Sequence, residues 1–249
     1  MLIRKTLKHR TALITALIDP KHKVIMDWSP KGGSTILVKM FFKHMGLLDK
    51  SYKYNSWIHE YRMYVYPKSF PITLDDLKDP MYFKFKVVRN PFHRLVSSYI
   101  HTMKYEVMHP PLKKSIWRWS ADISFNSFVN FLEDNDLKTC DPHYSLQKKD
   151  YEFELPNCFD EIVHLRKLPA AIQKMNAEKG YNFNLDGLSS EHHASKNLTS
   201  TEVVASNKWS SIKENIPGYK NFYTDKIQQQ VYKLYKEDFD SYGFSSSEI

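Results

Sequence analysis

The 249 residues are enough for one α/β domain with a sizeable core, and an apolar content of 42 % excludes a disordered chain. No segment repeats at a fixed period, and none is low in complexity. The formal net charge of +8 suits an anionic partner such as a nucleotide, a polysaccharide, a nucleic acid or a membrane surface, although a merely solvated basic surface explains it equally well.

The first predicted strand covers residues 23–28, which hold a short apolar run. A Pro-Lys-Gly-Gly turn follows this strand. From Ser34 the residues are apolar nearly all round, which is typical of a helix buried against a sheet. We expect this helix to end at Gly46.

A second strand-and-helix unit begins with residues 82–88, in which apolar and basic side chains alternate. Asn90 then supplies an N-cap, and Pro91 occupies the first helical position. At helical spacing, Arg94 and Ser97 share one polar face. For this helix taken alone, the simplest interpretation is a surface helix whose polar face is solvated.

The rest of the chain continues the alternation. Four more elements are predicted: a helix over 124–132, a strand over 161–165, a helix over 169–178 that ends at Gly180, and a helix over 225–238. Strands that alternate with helices indicate an α/β fold with a parallel β-sheet flanked by helices. We expect a single domain over residues 1–249.

Residues 29–35 read Ser-Pro-Lys-Gly-Gly-Ser-Thr and join the first strand to its helix. Backbone N–H groups at such a helix start bind phosphate or sulfate, and Gly32 and Gly33 let an anion approach the main chain. Lys31 adds a point charge, while Ser34 or Thr35 donates hydrogen bonds. An ordinary capped turn is the alternative. The Walker A spacing is absent, which disfavours an ATPase or a kinase.

Arg89 follows the second strand, at the end where open α/β sheets bind ligands. An arginine fork together with the hydroxyl of Ser97 can hold a second phosphate.

The two segments together resemble the site for 3′-phosphoadenosine 5′-phosphosulfate (PAPS) in the sulfotransferase superfamily. Residues 29–35 resemble its phosphosulfate loop, Pro-Lys-x-Gly-x-Thr. Residues 87–97 resemble its 3′-phosphate motif, Val-x-Arg-x-Pro-x-x-Arg-x-x-Ser. Residues 141–147 and 222–244 are similar to the His-x-x-x-Gln element and the C-terminal helix of sulfotransferase family 2, the branch of the carbohydrate sulfotransferases.

The resemblance implies a P-loop-like sulfotransferase fold and transfer of a sulfuryl group from PAPS to a hydroxyl or an amine, with PAP as the product. Lys31 would neutralise the charge that grows on the bridging oxygen, helped by the N–H groups of residues 32–35. Arg89 and Ser97 would hold the 3′-phosphate. No metal is expected.

His143 is the predicted catalytic base, because it lies in the matched element and a histidine titrates near neutral pH. Gln147 would orient His143 or the acceptor. His59, His93 and Glu60 are the alternative bases.

Three residues of a polar loop, Ser195, Lys196 and Asn197, lie where the family closes over the nucleotide. They are candidate contacts to the 3′-phosphate, and a solvated loop is the alternative.

The acceptor is expected to be a small molecule such as a natural product, with an oligosaccharide as the alternative. Four aromatic residues between the nucleotide motifs either line an acceptor pocket or belong to the core: Trp57, Tyr61, Tyr64 and Tyr66. More distant alternatives are a nucleotide-dependent kinase and a non-catalytic nucleic-acid-binding module. No nucleic-acid-binding motif is recognised, so we expect no nucleic-acid partner. The oligomeric state stays open.

The cysteines and the apolar pattern indicate the compartment. Cys140 and Cys158 are too few for a disulfide framework, and free thiols in a reducing compartment are expected, with one bridge as the alternative. The apolar run over 12–18 is too short to span a bilayer, and no cleavable signal follows it. We therefore predict a soluble, cytoplasmic protein without a membrane partner.

Overall fold

The computed structural model describes residues 15–105, 122–188 and 201–249. The chain divides into two compact units, and the passage from the first to the second falls after Arg89, with the return at Gln147. Within the described ranges, the first unit holds residues 15–89 and 147–188, and the second holds 90–105, 122–146 and 201–249. The expected single domain over residues 1–249 stays a prediction.

The first unit contains a four-stranded sheet in the order β1-β2-β3-β4. Its strands are β1 (Leu17–Asp19), β2 (Val24–Trp28), β3 (Phe83–Val88) and β4 (Glu161–His164). The strands β2, β3 and β4 run parallel, as predicted. The sheet is nevertheless mixed, since β1 pairs antiparallel with β2. The sequence pattern missed β1 because three residues are too few to show an alternation.

The described residues also form twelve α-helices. In chain order these are α1 (Ser34–His44), α2 (Leu48–Tyr54), α3 (Ile58–Tyr64), α4 (Tyr66–Ser69), α5 (Leu74–Lys78), α6 (Pro91–Tyr105), α7 (Phe125–Glu133), α8 (Asp150–Glu154), α9 (Leu168–Lys179), α10 (Trp209–Ile212), α11 (Asp225–Leu234) and α12 (Lys236–Tyr242). None of these helices is both long enough and apolar enough to cross a bilayer.

Helices cover both faces of the sheet in the first unit. Along β2, Val24, Met26 and Trp28 pack into a core that α1, α3 and α9 complete. Ile25 points to the other face, where it packs with residues of α5 and α8. A strand buried on both faces must be apolar on both, which explains the continuous apolar run that predicted β2.

The outer edge of β1 is closed by a tyrosine. The hydroxyl of Tyr66 accepts a hydrogen bond from the Ile18 N–H (3.1 Å) and donates one to the Ile18 carbonyl (2.5 Å). Both residues are buried. The hydroxyl therefore satisfies backbone groups that an edge strand would otherwise leave without partners.

The second unit is built around α6, whose apolar side packs with α7 and α11. The interpretation of α6 as a surface helix is wrong, because Arg94 and Ser97 on its polar face are also buried. The guanidinium of Arg94 donates to the carbonyls of Ser145 (2.6 Å) and Pro142 (3.0 Å). This polar face therefore holds a neighbouring segment of the chain in place.

The predicted helix over 225–238 is two helices, because the chain leaves helical geometry at Tyr235 between α11 and α12. The buried hydroxyl of Tyr235 donates to the carbonyl of Tyr144 (2.5 Å). This tertiary contact lies far from Tyr235 in the sequence, so helical periodicity did not reveal the break.

Candidate functional site

The turn after β2, residues 29–35, is called the anion loop here. The N–H of Gly32 donates to the carbonyl of Ser29 (2.9 Å), which closes a tight turn. A Cβ at position 32 would lie 2.8 Å from that carbonyl oxygen, so only glycine fits. Lys31 has a φ of 64°, in the left-handed region that a lysine rarely adopts.

The anion loop leads directly into α1. Gly33 is the N-cap of this helix, with a φ of 92°, and as a glycine it brings no side chain to cap the N–H groups of the first turn. Such N–H groups have no partner within a helix, and the helix dipole adds partial positive charge there. The chemistry of this helix start suits a phosphate or sulfate group, and the contacts expected of Gly32, Gly33, Ser34 and Thr35 stay predictions.

The guanidinium of Arg89 meets this loop. Its Nη1 donates to the carbonyl of Lys31 at 2.8 Å, although the two residues are 58 positions apart in the chain. The contact follows from the sheet, because β2 and β3 are parallel neighbours with Trp28 opposite Val87. The structure thus brings together Lys31 and Arg89, two of the predicted nucleotide-binding residues of the first unit.

Gln147 also contacts Arg89. Its side-chain amide bonds both the N–H (2.9 Å) and the carbonyl (2.8 Å) of that residue. The amide that we expected to orient His143 or the acceptor is thus engaged with the backbone beside the anion loop. No motif in the sequence indicated this contact.

One of the alternative bases lies at the anion loop. The Nε2 of His59 is 3.3 Å from the hydroxyl of Thr35. Its ring lies 5.5 Å from that of Trp57, which is 53 % exposed. His59 therefore stands between the loop and an open aromatic surface.

The predicted base His143 belongs to the second unit. Its Nδ1 lies 2.8 Å from the carboxylate of Asp141, and its ring stacks on that of His101 at 4.8 Å. A carboxylate at Nδ1 favours the tautomer with its proton there, which leaves Nε2 to accept a proton. Ser97 is buried on α6 of the same unit, and its predicted contact with the 3′-phosphate stays a prediction.

The other candidate site residues differ in how far their side chains are buried. His93 is buried, with its ring 4.8 Å from that of Tyr219. Tyr61 and Tyr66 are core residues, whereas Trp57 and Tyr64 are more than half exposed. Core packing is therefore the correct interpretation for the two buried tyrosines.

Ser195, Lys196 and Asn197 lie outside the described residues, so their predicted contacts stay predictions.

Both cysteines are free thiols, as expected. Burial raises the pKa of Cys140 to about 12 and that of Cys158 to about 11. Neither thiol is therefore ionised near neutral pH, and neither suits nucleophilic chemistry.

A cluster of Asp19, His22 and His44 holds possible metal ligands within 4.8 Å of one another in the described part of the chain. The carboxylate of Asp19 bonds the Nδ1 of His22 (2.6 Å). The N–H of Asn182 donates to the Nδ1 of His44 (3.3 Å), which puts the proton of a neutral ring on Nε2, the atom that faces Asp19. These contacts describe a cluster in which both histidine rings lie against the carboxylate of Asp19.

Comparison with known proteins agrees with the geometry. The model of the sulfotransferase family matches residues 15–245, nearly the whole chain, and it is the model of family 2. No curated protein and no solved structure matches the chain. With its parallel strands, its glycine-rich anion loop and the arginine beside it, the chain belongs to the sulfotransferase family and is a PAPS-dependent enzyme.

Proposed function

We propose that this sulfotransferase transfers the sulfuryl group of PAPS to a hydroxyl or amine of a small-molecule acceptor. The contact between the Arg89 guanidinium and the Lys31 carbonyl carries the proposal. It joins the residue predicted to hold the 3′-phosphate to the loop predicted to hold the phosphosulfate. One nucleotide that is charged at both ends suits this arrangement.

The residues of the anion loop would provide most of the charge stabilisation during transfer. PAPS supplies an activated sulfuryl group when it is bound. Lys31 would neutralise the negative charge that grows on the leaving oxygen, and the N–H groups at the start of α1 would add to this stabilisation. Arg89 would fix the donor through its planar fork of N–H groups.

The acceptor must lose a proton during transfer. We assign this proton to His143, because Asp141 holds its Nδ1 and leaves Nε2 to act as the base. His59 is the competing candidate, since it contacts Thr35 of the anion loop.

We infer the acceptor class from Trp57, the exposed aromatic side chain near the anion loop. Trp57, beside His59, offers a flat apolar surface to a ring-bearing acceptor. A small aromatic or alicyclic molecule fits this surface, and an oligosaccharide is the alternative. The cytoplasmic location and the lack of a nucleic-acid partner stay predictions.

The test is a transfer assay with PAPS and a panel of small hydroxylated compounds, amines and oligosaccharides. Mass spectrometry should detect the gain of one sulfate on members of the first two groups. Sulfation of oligosaccharides alone would overturn the proposed acceptor class. A thermal-shift comparison should show stabilisation by PAP, whereas stabilisation by ATP with Mg²⁺ alone would overturn the donor assignment.

Lys31→Ala should lower turnover about 10²- to 10³-fold, because the leaving oxygen loses its charge partner. PAP should still raise the melting temperature of the variant, since Arg89 and the loop backbone remain. The matched control is Lys78→Ala on α5, an exposed lysine that pairs with the exposed carboxylate of Asp75. Turnover within twofold of wild type in Lys31→Ala would contradict the role of Lys31.

A further inference from the structure

Gln147 is a glutamine with no exposed surface at the point where the chain returns to the first unit. Burying an amide is costly unless its N–H and oxygen groups find partners. Its partners therefore show what holds this side chain inside the protein.

The amide of Gln147 pairs with the backbone of Arg89. Its Nε2 donates to the Arg89 carbonyl (2.8 Å), and its Oε1 accepts from the Arg89 N–H (2.9 Å). The ladder between β3 and β4 ends with Val88 opposite His164, so Arg89 lies one residue beyond the sheet. Gln147 thus does for Arg89 what a neighbouring strand does for residues inside a sheet, and it restrains the Arg89 backbone.

The backbone of Gln147 is fixed in turn. Its carbonyl accepts hydrogen bonds from the ammonium of Lys86 (2.7 Å) and from the hydroxyl of Ser29 (3.2 Å). Lys86 has no exposed surface and is also paired with the carboxylate of Glu152. Ser29 is the first residue of the anion loop, so one residue contacts both Arg89 and the start of that loop.

The contacts continue into the loop, because the guanidinium of Arg89 bonds the carbonyl of Lys31. Ser29 therefore contacts the buried Gln147 directly, and Lys31 is linked to the same glutamine through Arg89. Lys31 has a left-handed backbone conformation that its surroundings must impose.

We propose that Gln147 is a positioning residue for the donor site: it holds Arg89, and through Arg89 the anion loop, in the geometry that binds the nucleotide. This role rests on the proposed function, in which Arg89 binds the 3′-phosphate. Gln147 itself does not touch the reacting atoms. Its loss should weaken donor binding in the ground state, so the KM for PAPS should rise while kcat changes little.

The experiment compares Gln147→Leu, which removes both amide hydrogen bonds at similar volume, with Arg89→Ala and with the double variant. We measure the Kd for PAP by calorimetry, and the KM for PAPS and kcat by a transfer assay. Gln147→Leu should raise the Kd and the KM about 10- to 100-fold. In the Arg89→Ala background the same substitution should have little further effect, because Gln147 acts through Arg89.

A purely structural role predicts something different. Tyr66→Phe removes two buried hydrogen bonds to Ile18 in the same unit without touching Arg89, and it serves as the control for lost stability. It should leave the Kd for PAP unchanged. An equal loss of affinity from Gln147→Leu in both backgrounds, or a wild-type Kd in the folded variant, would overturn the proposal.

Two further comparisons cover the cases in which Gln147→Leu does not fold or the proposed function itself fails. If Gln147→Leu does not fold, Ser29→Ala removes one bond to the Gln147 carbonyl and keeps the loop backbone; it should raise the KM for PAPS severalfold, and an unchanged KM would overturn the proposal. If the wild-type protein binds no PAP and transfers no sulfate, the proposed function itself has failed. If the wild type binds PAP and the variants bind it equally well, the role of Gln147 alone has failed.

Discussion

Lys31 combines a functional charge with an unfavourable backbone conformation. A left-handed φ at a non-glycine residue costs roughly 1 kcal/mol or more. The turn bond from Gly32 to Ser29 and the bond from Arg89 to the Lys31 carbonyl hold this conformation. Strain of this kind is concentrated at binding sites, where the surrounding contacts impose a geometry that the chain alone would not adopt.

Gly33→Ala should lower stability by about 2–3 kcal/mol and raise the KM for PAPS, because its Cβ would lie 2.8 Å from a Leu165 methyl carbon at a φ of 92°. Gly46→Ala is the control, since Gly46 also has a positive φ but open space around its Cβ. It should cost about 1 kcal/mol and leave the KM unchanged. Urea unfolding and steady-state kinetics measure the two effects, and equal results for both variants would contradict the steric argument.

Substitution of His143 and substitution of His59 should have different effects, which identifies the catalytic base. His143→Ala should abolish transfer while PAP still binds, because Asp141 orients that ring as a proton acceptor. His59→Ala should lower the rate only a few-fold, since it loses a contact to Thr35. Single-turnover transfer assays with PAP calorimetry separate the variants. Loss of transfer in His59→Ala with a normal rate in His143→Ala would reassign the base.

At the scale of elements, the stability of β1 depends on α4 as well as on its pairing with β2. Three residues give a weak antiparallel ladder. The Tyr66 hydroxyl completes the hydrogen bonding of the outer strand edge at Ile18, and burial raises the pKa of this tyrosine, so it stays protonated and able to donate. A short strand thus persists because a helix satisfies its outer backbone groups.

Tyr66→Phe should therefore lower the free energy of unfolding by about 2 kcal/mol, because two buried backbone groups of Ile18 lose their partner. Tyr64→Phe, at an exposed position two residues earlier, should change stability by less than about 0.5 kcal/mol. Urea denaturation of both variants measures the difference. Equal stability of the two would show that the edge of β1 does not depend on the hydroxyl.

At the scale of the whole molecule, the buried charges make stability depend on pH. The carboxylate of Asp27 has no exposed surface and bonds the ammonium of Lys149 (2.6 Å) and the hydroxyl of Tyr151 (2.6 Å). Burial alone raises the pKa of Asp27, but Lys149 and Lys86 outweigh it and hold the pKa below the usual 3.8. The carboxylate therefore stays ionised in the folded protein.

A folded-state pKa below the unfolded one contributes stability above about pH 3.8, and this contribution is lost as the pH falls. Asp27→Asn should remove it and leave the largely buried Lys149 without this charge partner, at a cost of about 3–5 kcal/mol at neutral pH. The stability of the variant should also fall less steeply in acid. Denaturant unfolding between neutral pH and pH 3 tests both effects, with Asp75→Asn, an exposed carboxylate, as the control. A parallel pH dependence in Asp27→Asn and wild type would exclude Asp27 as the source.

Local patterns were sufficient for β2, β3, β4 and the longer helices of the described residues, but they predicted none of the short helices α2–α5, α8 and α10. The apolar run of β2, the Asn-Pro start of α6 and the glycine after α9 predicted these elements to within a residue or two, because each depends on neighbours in the chain. The pattern failed where distant residues decide the structure. It missed β1, it joined α11 to α12 across Tyr235, and it gave α6 a solvated polar face that is in fact buried.

The sequence by itself determined the family, through two motifs whose residues are contiguous and whose chemistry is local: a lysine and glycines at a helix start, and an arginine at a strand end. Only the tertiary structure decided that Arg89 bonds Lys31 and that Gln147 holds Arg89. These contacts join residues 58 positions apart. Their existence depends on the parallel register of β2 and β3 and on where the chain re-enters the first unit, and no local pattern encodes either.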